Sequence, residues 1–266
     1  MKLDETRIVI RYRTKADVLD LAFKVFRVYA GPIVKWLALG AIPMFLLNIW
    51  LLADFFLYDY IWRFPLGYML LTTLLVFLEM PLATAPLTLF LGQAVFMPRP
   101  DRKALFRDLR GSLFQLFFYQ VLFRFVSVFY PYLNEVILLE RNRFRVKTPG
   151  MKTTAARSRE LHRDESADLI INGALNFFLG LILFGTIWIF LSMLRIVFFS
   201  DWDLVMGDAV DRPMYTTYYH LLLWAVVGFT TVLRFLSYLN LRIRREGWDV
   251  ELQVRAERAR LSHQIV

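Results

Sequence analysis

A helical bundle that crosses a membrane several times is the fold class this sequence predicts, and three observations predict it. Hydrophobic residues make up 58% of the 266 positions, above the roughly 45–50% of a soluble domain. They are gathered in runs long enough to span a bilayer, whose core of about 30 Å needs about 20 apolar helical residues. Charge between the runs is sorted by sign. A soluble chain of this composition would be left with large exposed apolar patches, which soluble monomers avoid.

Residues 1–32 come first, with seven Lys or Arg. The first long apolar run starts only near Ile33, so this segment does not have the form of a cleaved leader. Within it, Asp17, Asp20, Lys24 and Arg27 fall on one helical stripe, with Val18, Leu21, Val25 and Phe26 among those covering the rest. An amphipathic helix over Asp17–Tyr29 follows, with Asp20 and Lys24 as an i,i+4 ion pair. It is expected either on the membrane surface or packed on the protein's own spans, and to turn into the first span at Gly31–Pro32.

Residues 33–239 form the expected transmembrane domain. Four runs suit full crossings: Ile33–Ala53, Leu66–Leu89 continuing towards Met97, Ile171–Phe199 and Thr216–Leu239. The connections differ sharply in charge. Residues 98–112 carry five bases, residues 140–168 eight, and the tail from 240 six. Residues 54–65 and 200–215 carry one base each, Arg63 and Arg212, beside Asp54, Asp59, Asp201, Asp203, Asp208 and Asp211. Lys and Arg are retained on the cytoplasmic side. Both termini are therefore expected in the cytoplasm, consistent with a bacterial cytoplasmic membrane.

The run Leu113–Leu139 is interrupted by Arg124, Pro131 and Asn134–Glu135 and has basic flanks on both sides. A single crossing would break the charge pattern. The expectation is a hairpin folded near Tyr130–Pro131, re-entrant or made of two short spans, because proline removes a backbone donor. Residues 140–168 are expected to be a cytoplasmic loop, flexible over 146–167. Residues 240–266 should hold an extramembrane helix over Trp248–Leu261, with Asp249 and Glu251 early and Arg255, Arg258 and Arg260 late, as the helix dipole favours.

Charge inside the membrane is costly and points to function or pairing. Glu79 lies mid-way along the second run, followed by Pro81 and Pro86. Helical spacing puts it on one face with Ala83, Pro86 and Gln93. Two readings apply: a proton or cation site beside loosened backbone, or a structural glutamate that is protonated or paired with Arg124 or Arg234. Lys35 and Arg195 lie near span ends, where long side chains reach back to the headgroups. Lys24, Arg27, Lys35, Arg242, Arg244 and Arg245 are candidate headgroup contacts. Asn172 and Asn176, one turn apart, are expected to hydrogen-bond between helices.

Reaction signatures are missing. His162, His220 and His263 lack metal-site spacing, and no Cys is present. No phosphate-binding glycine loop, G-x-S-x-G elbow or H-E-x-x-H occurs. No cofactor is indicated. The basic segments adjoin apolar runs and lack aromatic interleaving, which favours anionic lipid over nucleic acid.

One stretch has a familiar form: Tyr238-Leu239-Asn240-Leu241-Arg242-Ile243-Arg244-Arg245-Glu246-Gly247-Trp248-Asp249-Val250-Glu251-Leu252. It resembles the tail of bacterial polytopic proteins related to the glycerophosphodiester phosphodiesterase membrane domain. There an aromatic and an Asp precede an Arg-rich turn, then Glu-Gly and an acidic helix start. This chain has Asn240 in place of that Asp. The helix before Gly31–Pro32 is similar to the same group. The likeness covers the two ends only and implies a helical membrane domain. The soluble phosphodiesterase barrel has no counterpart, so no catalytic residue is carried over.

The leading expectation is a non-enzymatic membrane subunit or scaffold that associates with other membrane chains, a second copy or lipid. A small transporter or channel using Glu79 is the alternative. A lipid-modifying enzyme ranks third.

Overall fold

The computed structural model describes residues 12–53, 66–97, 100–122, 130–140, 153–162, 166–199 and 212–247. Every regular element among them is a helix: α1 Lys15–Val28, α2 Ala30–Leu51, α3 Leu66–Ala83, α4 Ala85–Phe96, α5 Arg102–Leu116, α6 Leu133–Leu139, α7 Thr154–His162, α8 Ser166–Phe199 and α9 Arg212–Glu246. A π-helical segment, Phe117–Leu122, continues α5. Four stretches are long and apolar enough to cross a membrane: Ala30–Leu51, Gly67–Val95, Leu169–Leu194 and Thr217–Glu246. The all-α membrane bundle is therefore the observed architecture. Arg124 and the Trp248–Leu261 helix lie outside the described residues.

Thr14 starts α1 with a capping box: its side chain accepts from the Asp17 amide, and Asp17 reaches back to the Thr14 amide, so two of the helix's orphan donors are satisfied. Val18, Ala22 and Val25 are buried at helical spacing. They pack on α9 at Val232, Leu233, Phe235 and Leu236. Of the two placements expected for this helix, the structure shows packing on the protein's own last span. Asp20 and Lys24 pair at 2.8 Å on its outer face. The turn into α2 falls at Tyr29, not at Gly31–Pro32. Pro32 sits in the first turn of α2, where its missing N–H has no intrahelical partner to lose.

The second run is one crossing built of two helices. Pro81 and Pro86 supply no N–H to the backbone ladder, and the chain turns at Thr84 between them. The Thr84 hydroxyl donates to the Met80 carbonyl at 2.7 Å. The same carbonyl also accepts the Thr84 amide at 2.9 Å, so both donors of Thr84 turn back on the end of α3. Gly40 of α2 crosses at this break. A Cβ built on Gly40 would lie 2.0 Å from the Ala83 carbonyl oxygen. Small residues allow this approach, and close packing rather than hydrophobicity holds helices together in lipid.

The interrupted run starts earlier than expected. Its first arm is α5 from Arg102, and Leu113 lies inside that helix. Pro131 and Tyr132 make a turn, and α6 then packs against α4 and α5 through Leu133, Ile137 and Leu138. The flexible loop expected over 146–167 is corrected in part: Thr154–His162 is helix α7. Its buried Leu161 joins Tyr132, Val136, Tyr238 and Leu241, so apolar packing rather than turn residues decides this segment.

α9 is the central post. It packs on α1, α2, α3, α4 and α8. It ends at Gly247, whose φ of 64° is the left-handed conformation that glycine adopts freely at a helix end.

Gly40→Ala is expected to lower stability by about 1–3 kcal/mol, the cost of overpacking a tight contact. Thermal unfolding in detergent reads this as a lower midpoint. Gly173→Ala is the control: a Cβ there meets nothing within 4 Å, and Ala is favoured over Gly in a helix by about 1 kcal/mol, so its midpoint should hold or rise.

Candidate functional site

Two polar clusters lie within the bundle, and between them they hold Glu79, Arg242 and Arg245 of the residues singled out by sequence. The first joins α2, α3 and α9. The Asn48 side chain is fully buried and donates through Nδ2 to Glu79 Oε2 at 2.9 Å. The same Nδ2 lies 3.4 Å from His220 Nε2. One amide nitrogen carries two hydrogens, so a single group faces both acceptors, with the ring proton on Nδ1. Phe45 lies against the His220 ring, with centroids 4.5 Å apart. Trp224 follows one turn later on α9 at 6.4 Å. Asn48 Oδ1, His220 Nδ1 and Trp224 Nε1 are buried and meet no hydrogen-bond partner among the described residues. Buried polar atoms without partners are costly, so this junction has bonding capacity the fold itself does not use.

Pairing of Glu79 with Arg234 is corrected. Arg234 Nε donates to Glu135 Oε1 at 2.7 Å, with side-chain exposures of 14% and 0%. The Pro131 turn brings Glu135 to it: α6 starts two residues later and carries Glu135 in its first turn. Glu79 has no ion-pair partner among the described residues. The helical stripe through Glu79, Ala83, Pro86 and Gln93 does not form one site either. Gln93 Oε1 accepts from the Asp101 amide at 2.9 Å and holds the connection to α5. The break at Thr84 separates the two halves of that stripe.

The second cluster sits where α6, α7 and α9 end. Arg157 Nε donates to Glu140 Oε2 at 2.7 Å, and its Nη2 donates to Glu246. Arg242 Nη2 meets Glu246 Oε2 at 2.7 Å, and the Tyr238 hydroxyl donates to Glu140 Oε1 at 2.9 Å. Arg245 Nη1 donates to the Glu160 carbonyl at 2.9 Å. The hydrogen bond to Glu140, with the two nearby carboxylates, holds the Arg157 guanidinium more firmly in its charged form than usual, against burial. His162 Nδ1 donates to the Ser158 carbonyl at 2.6 Å. Burial pushes its pKa below the usual value, and Arg245 adds to this.

Arg242 and Arg245, named as headgroup candidates by sequence, make internal ties to Glu246 and to the Glu160 carbonyl. Lys24, Arg27, Lys35 and Arg244 remain exposed. Among the described residues Asn172 and Asn176 make no hydrogen bond between helices; they line an open crevice beside α9. Sequence reasoning missed Asn48 and His220. Asn48 was legible as the one amide inside the first apolar run. His220 was weighed only against metal-site spacing, although burial between aromatic residues is a commoner fate for a histidine in a span. No group of three His, Cys, Asp or Glu suited to a metal occurs among the described residues.

These features define a polytopic helical membrane protein with two internal polar clusters. Comparison with protein-family models, curated proteins and solved structures finds no match.

Replacing Arg234 by Met, or Glu135 by Leu, strands the other charge. Each single change is expected to cost about 3–5 kcal/mol, whereas the double replacement by apolar groups of similar volume recovers most of that loss. Denaturant unfolding in detergent of both singles and the double measures the difference. Additive losses would show that the pair is not the unit of stability.

Proposed function

We propose that this chain is a non-enzymatic integral membrane subunit, a scaffold that packs with other membrane chains. In this reading it belongs to a bacterial cytoplasmic membrane, with both ends of the chain in the cytoplasm. The observation that carries it is α8. Only Leu169 and Gly180 are buried among its described residues. Ile170, Leu175, Phe177, Phe178, Ile182, Ile189, Phe190 and Val197 are 52–74% exposed. Among the described residues its main neighbour is α9. A Cβ on Gly173 or Gly185 would meet nothing within 4 Å, so α8 offers a second helix two places for close backbone approach.

The chain has no Cys, so single cysteines are unambiguous reporters. Phe177→Cys and Phe190→Cys are expected to give discrete cross-linked species in native membranes. Leu46→Cys and Leu70→Cys, exposed on other helices, should not. A monomer in mild detergent together with no α8-specific cross-link would remove this reading.

A second reading has its own observation. Glu79 is an acidic side chain within a span, held by an amide and next to an imidazole, at the junction of three helices. That arrangement suits a proton or cation exchanged during transport, since ionisable groups inside a membrane mark such pathways. Glu79→Gln keeps an acceptor for Asn48 and removes the charge. In reconstituted vesicles, a transporter should lose at least tenfold in flux on this change. Equal flux in variant and parent, or none in the parent, would dismiss it.

A further inference from the structure

We infer, resting on the transport reading of this site, that the Asn48–Glu79–His220 junction binds one proton, taken up at the Glu79 carboxylate and coupled to His220 by a flip of the Asn48 amide. The ligand named here is a proton and not a metal ion.

The coupling comes from a single atom. Asn48 Nδ2 lies 2.9 Å from Glu79 Oε2 and 3.4 Å from His220 Nε2. An amide nitrogen only donates, an ionised carboxylate only accepts, and a neutral imidazole accepts at the nitrogen without the proton. The arrangement therefore suits an ionised Glu79 beside a neutral ring protonated on Nδ1. Protonation gives the Glu79 carboxyl an O–H, and a buried donor needs an acceptor. The two ends of a primary amide are alike in size and opposite in hydrogen-bonding sense. With Asn48 turned over, Oδ1 takes the place of Nδ2 and accepts from Glu79. It then faces Nε2 of the ring, which must donate as well. The ring keeps one proton and exchanges tautomer, so the second state holds one proton more than the first and no formal charge.

Nothing opposes the flip from the far side. Asn48 Oδ1 and His220 Nδ1 are buried without hydrogen-bond partners, so turning the amide and moving the ring proton break no bond to a third group. Phe45 and Trp224 lie beside the ring, and neither supplies an acceptor. A metal ion suits the junction less well. An N–H turned towards the carboxylate repels a cation, and hard cations take about six or more oxygen ligands. Around α3, the titratable groups are Tyr68 on α3 itself, Lys35 on α2, Tyr119 in the π-helical segment, Asp108 and the bases of α5, and Tyr219, His220 and Arg234 on α9. Of these, His220 is the one within reach of Asn48 and Glu79 among the described residues. Tyr219 is bonded to Thr73, and Arg234 to Glu135.

The test is a pH titration of the full chain in lipid nanodiscs. Infrared spectroscopy follows the band of a protonated carboxyl, assigned to Glu79 by its loss in Glu79→Gln. Nitrogen NMR of labelled histidine follows the tautomer of His220, assigned by its loss in His220→Phe. In the parent, band and tautomer should change together, because sites coupled by more than about one pK unit titrate as a pair. In Asn48→Leu, which removes the amide, their midpoints should separate by about tenfold or more in proton concentration. In Glu79→Gln, which keeps a hydrogen-bonding side chain, the tautomer should stay fixed; this variant carries the test if circular dichroism shows Asn48→Leu to be unfolded. A tautomer that ignores the Glu79 band in the parent, or still changes in Glu79→Gln, would overturn the proposal. So would a linked titration that survives Asn48→Leu, or a midpoint that moves tenfold with sodium or potassium at constant ionic strength. Flux is not read, so a chain that binds the proton and moves nothing loses the transport reading alone. One that carries flux without the linked titration loses only the proton switch.

Discussion

Arg234 can stand in the last span because Glu135 meets it, and much of the chain's arrangement follows from that one contact. An arginine buried to 14% exposure needs a counter-charge, since an isolated charge in a low-dielectric interior costs several kcal/mol. The partner comes from a different part of the chain, 99 positions away. To deliver it, the segment after Pro131 must turn inward as α6 and bury nearly every side chain it has. Once α6 is seated, Glu140 at its end lies beside Tyr238 and Arg157. Arg157 in turn brings α7 against α9. The bonds of Glu140, Arg157 and Glu246 and the apolar cluster of Val136, Leu161 and Tyr238 act on the same three elements, so charge satisfaction and packing specify one placement.

The same constraint separates the two polar clusters by what they need. The Glu140–Arg157–Glu246–Arg242 group alternates sign, and each member finds an opposite charge. Its bonds hold helix ends together. The Asn48–Glu79–His220 junction has an acid and no base paired with it among the described residues. Its members are linked by one amide, and three of its buried polar atoms have no partner. Buried polar atoms without partners also occur at Glu135 Oε2, Arg234 Nη2, Ser158 Oγ and His162 Nε2, so what distinguishes the Asn48 junction is an acid within a span that is held by an amide and not by a base.

Composition and periodicity made the helical class and the four crossings legible, because each span must satisfy its backbone internally and must be apolar over about 20 residues. The two runs broken by proline were legible as interruptions, and their consequences only partly so. Pro81 and Pro86 announced a break, yet its position at Thr84 and its use as a crossing point for Gly40 depend on a helix about 40 positions away. Pairing was the least legible level. Glu79, Arg124 and Arg234 stood out as charges in apolar runs, while Glu135 stood out only as an interruption. Which acid meets which base is decided by a turn whose direction no local pattern reports. Asn48 and His220 carry no formal charge, so a search for charges passed them by. α7 was hidden for a similar reason: its buried face is Thr154, Ser158, Leu161 and His162, too polar to show as an apolar stripe.

Counting bases along the chain treats them as one population that marks a side of the membrane. The structure divides them by what each touches. Arg157, Arg242 and Arg245 are consumed by internal carboxylates and a carbonyl, and their removal would act on the fold. Lys24 is held by Asp20 at the surface. Arg13, Lys15 and Arg244 line the crevice between α1, α8 and α9. Beside α9 the asparagines of α8, Asn172 and Asn176, line the crevice, and among the described residues they meet no partner on the neighbouring helix. α8 is thus the least anchored of the spans among the described residues, with Leu169 and Gly180 its buried positions.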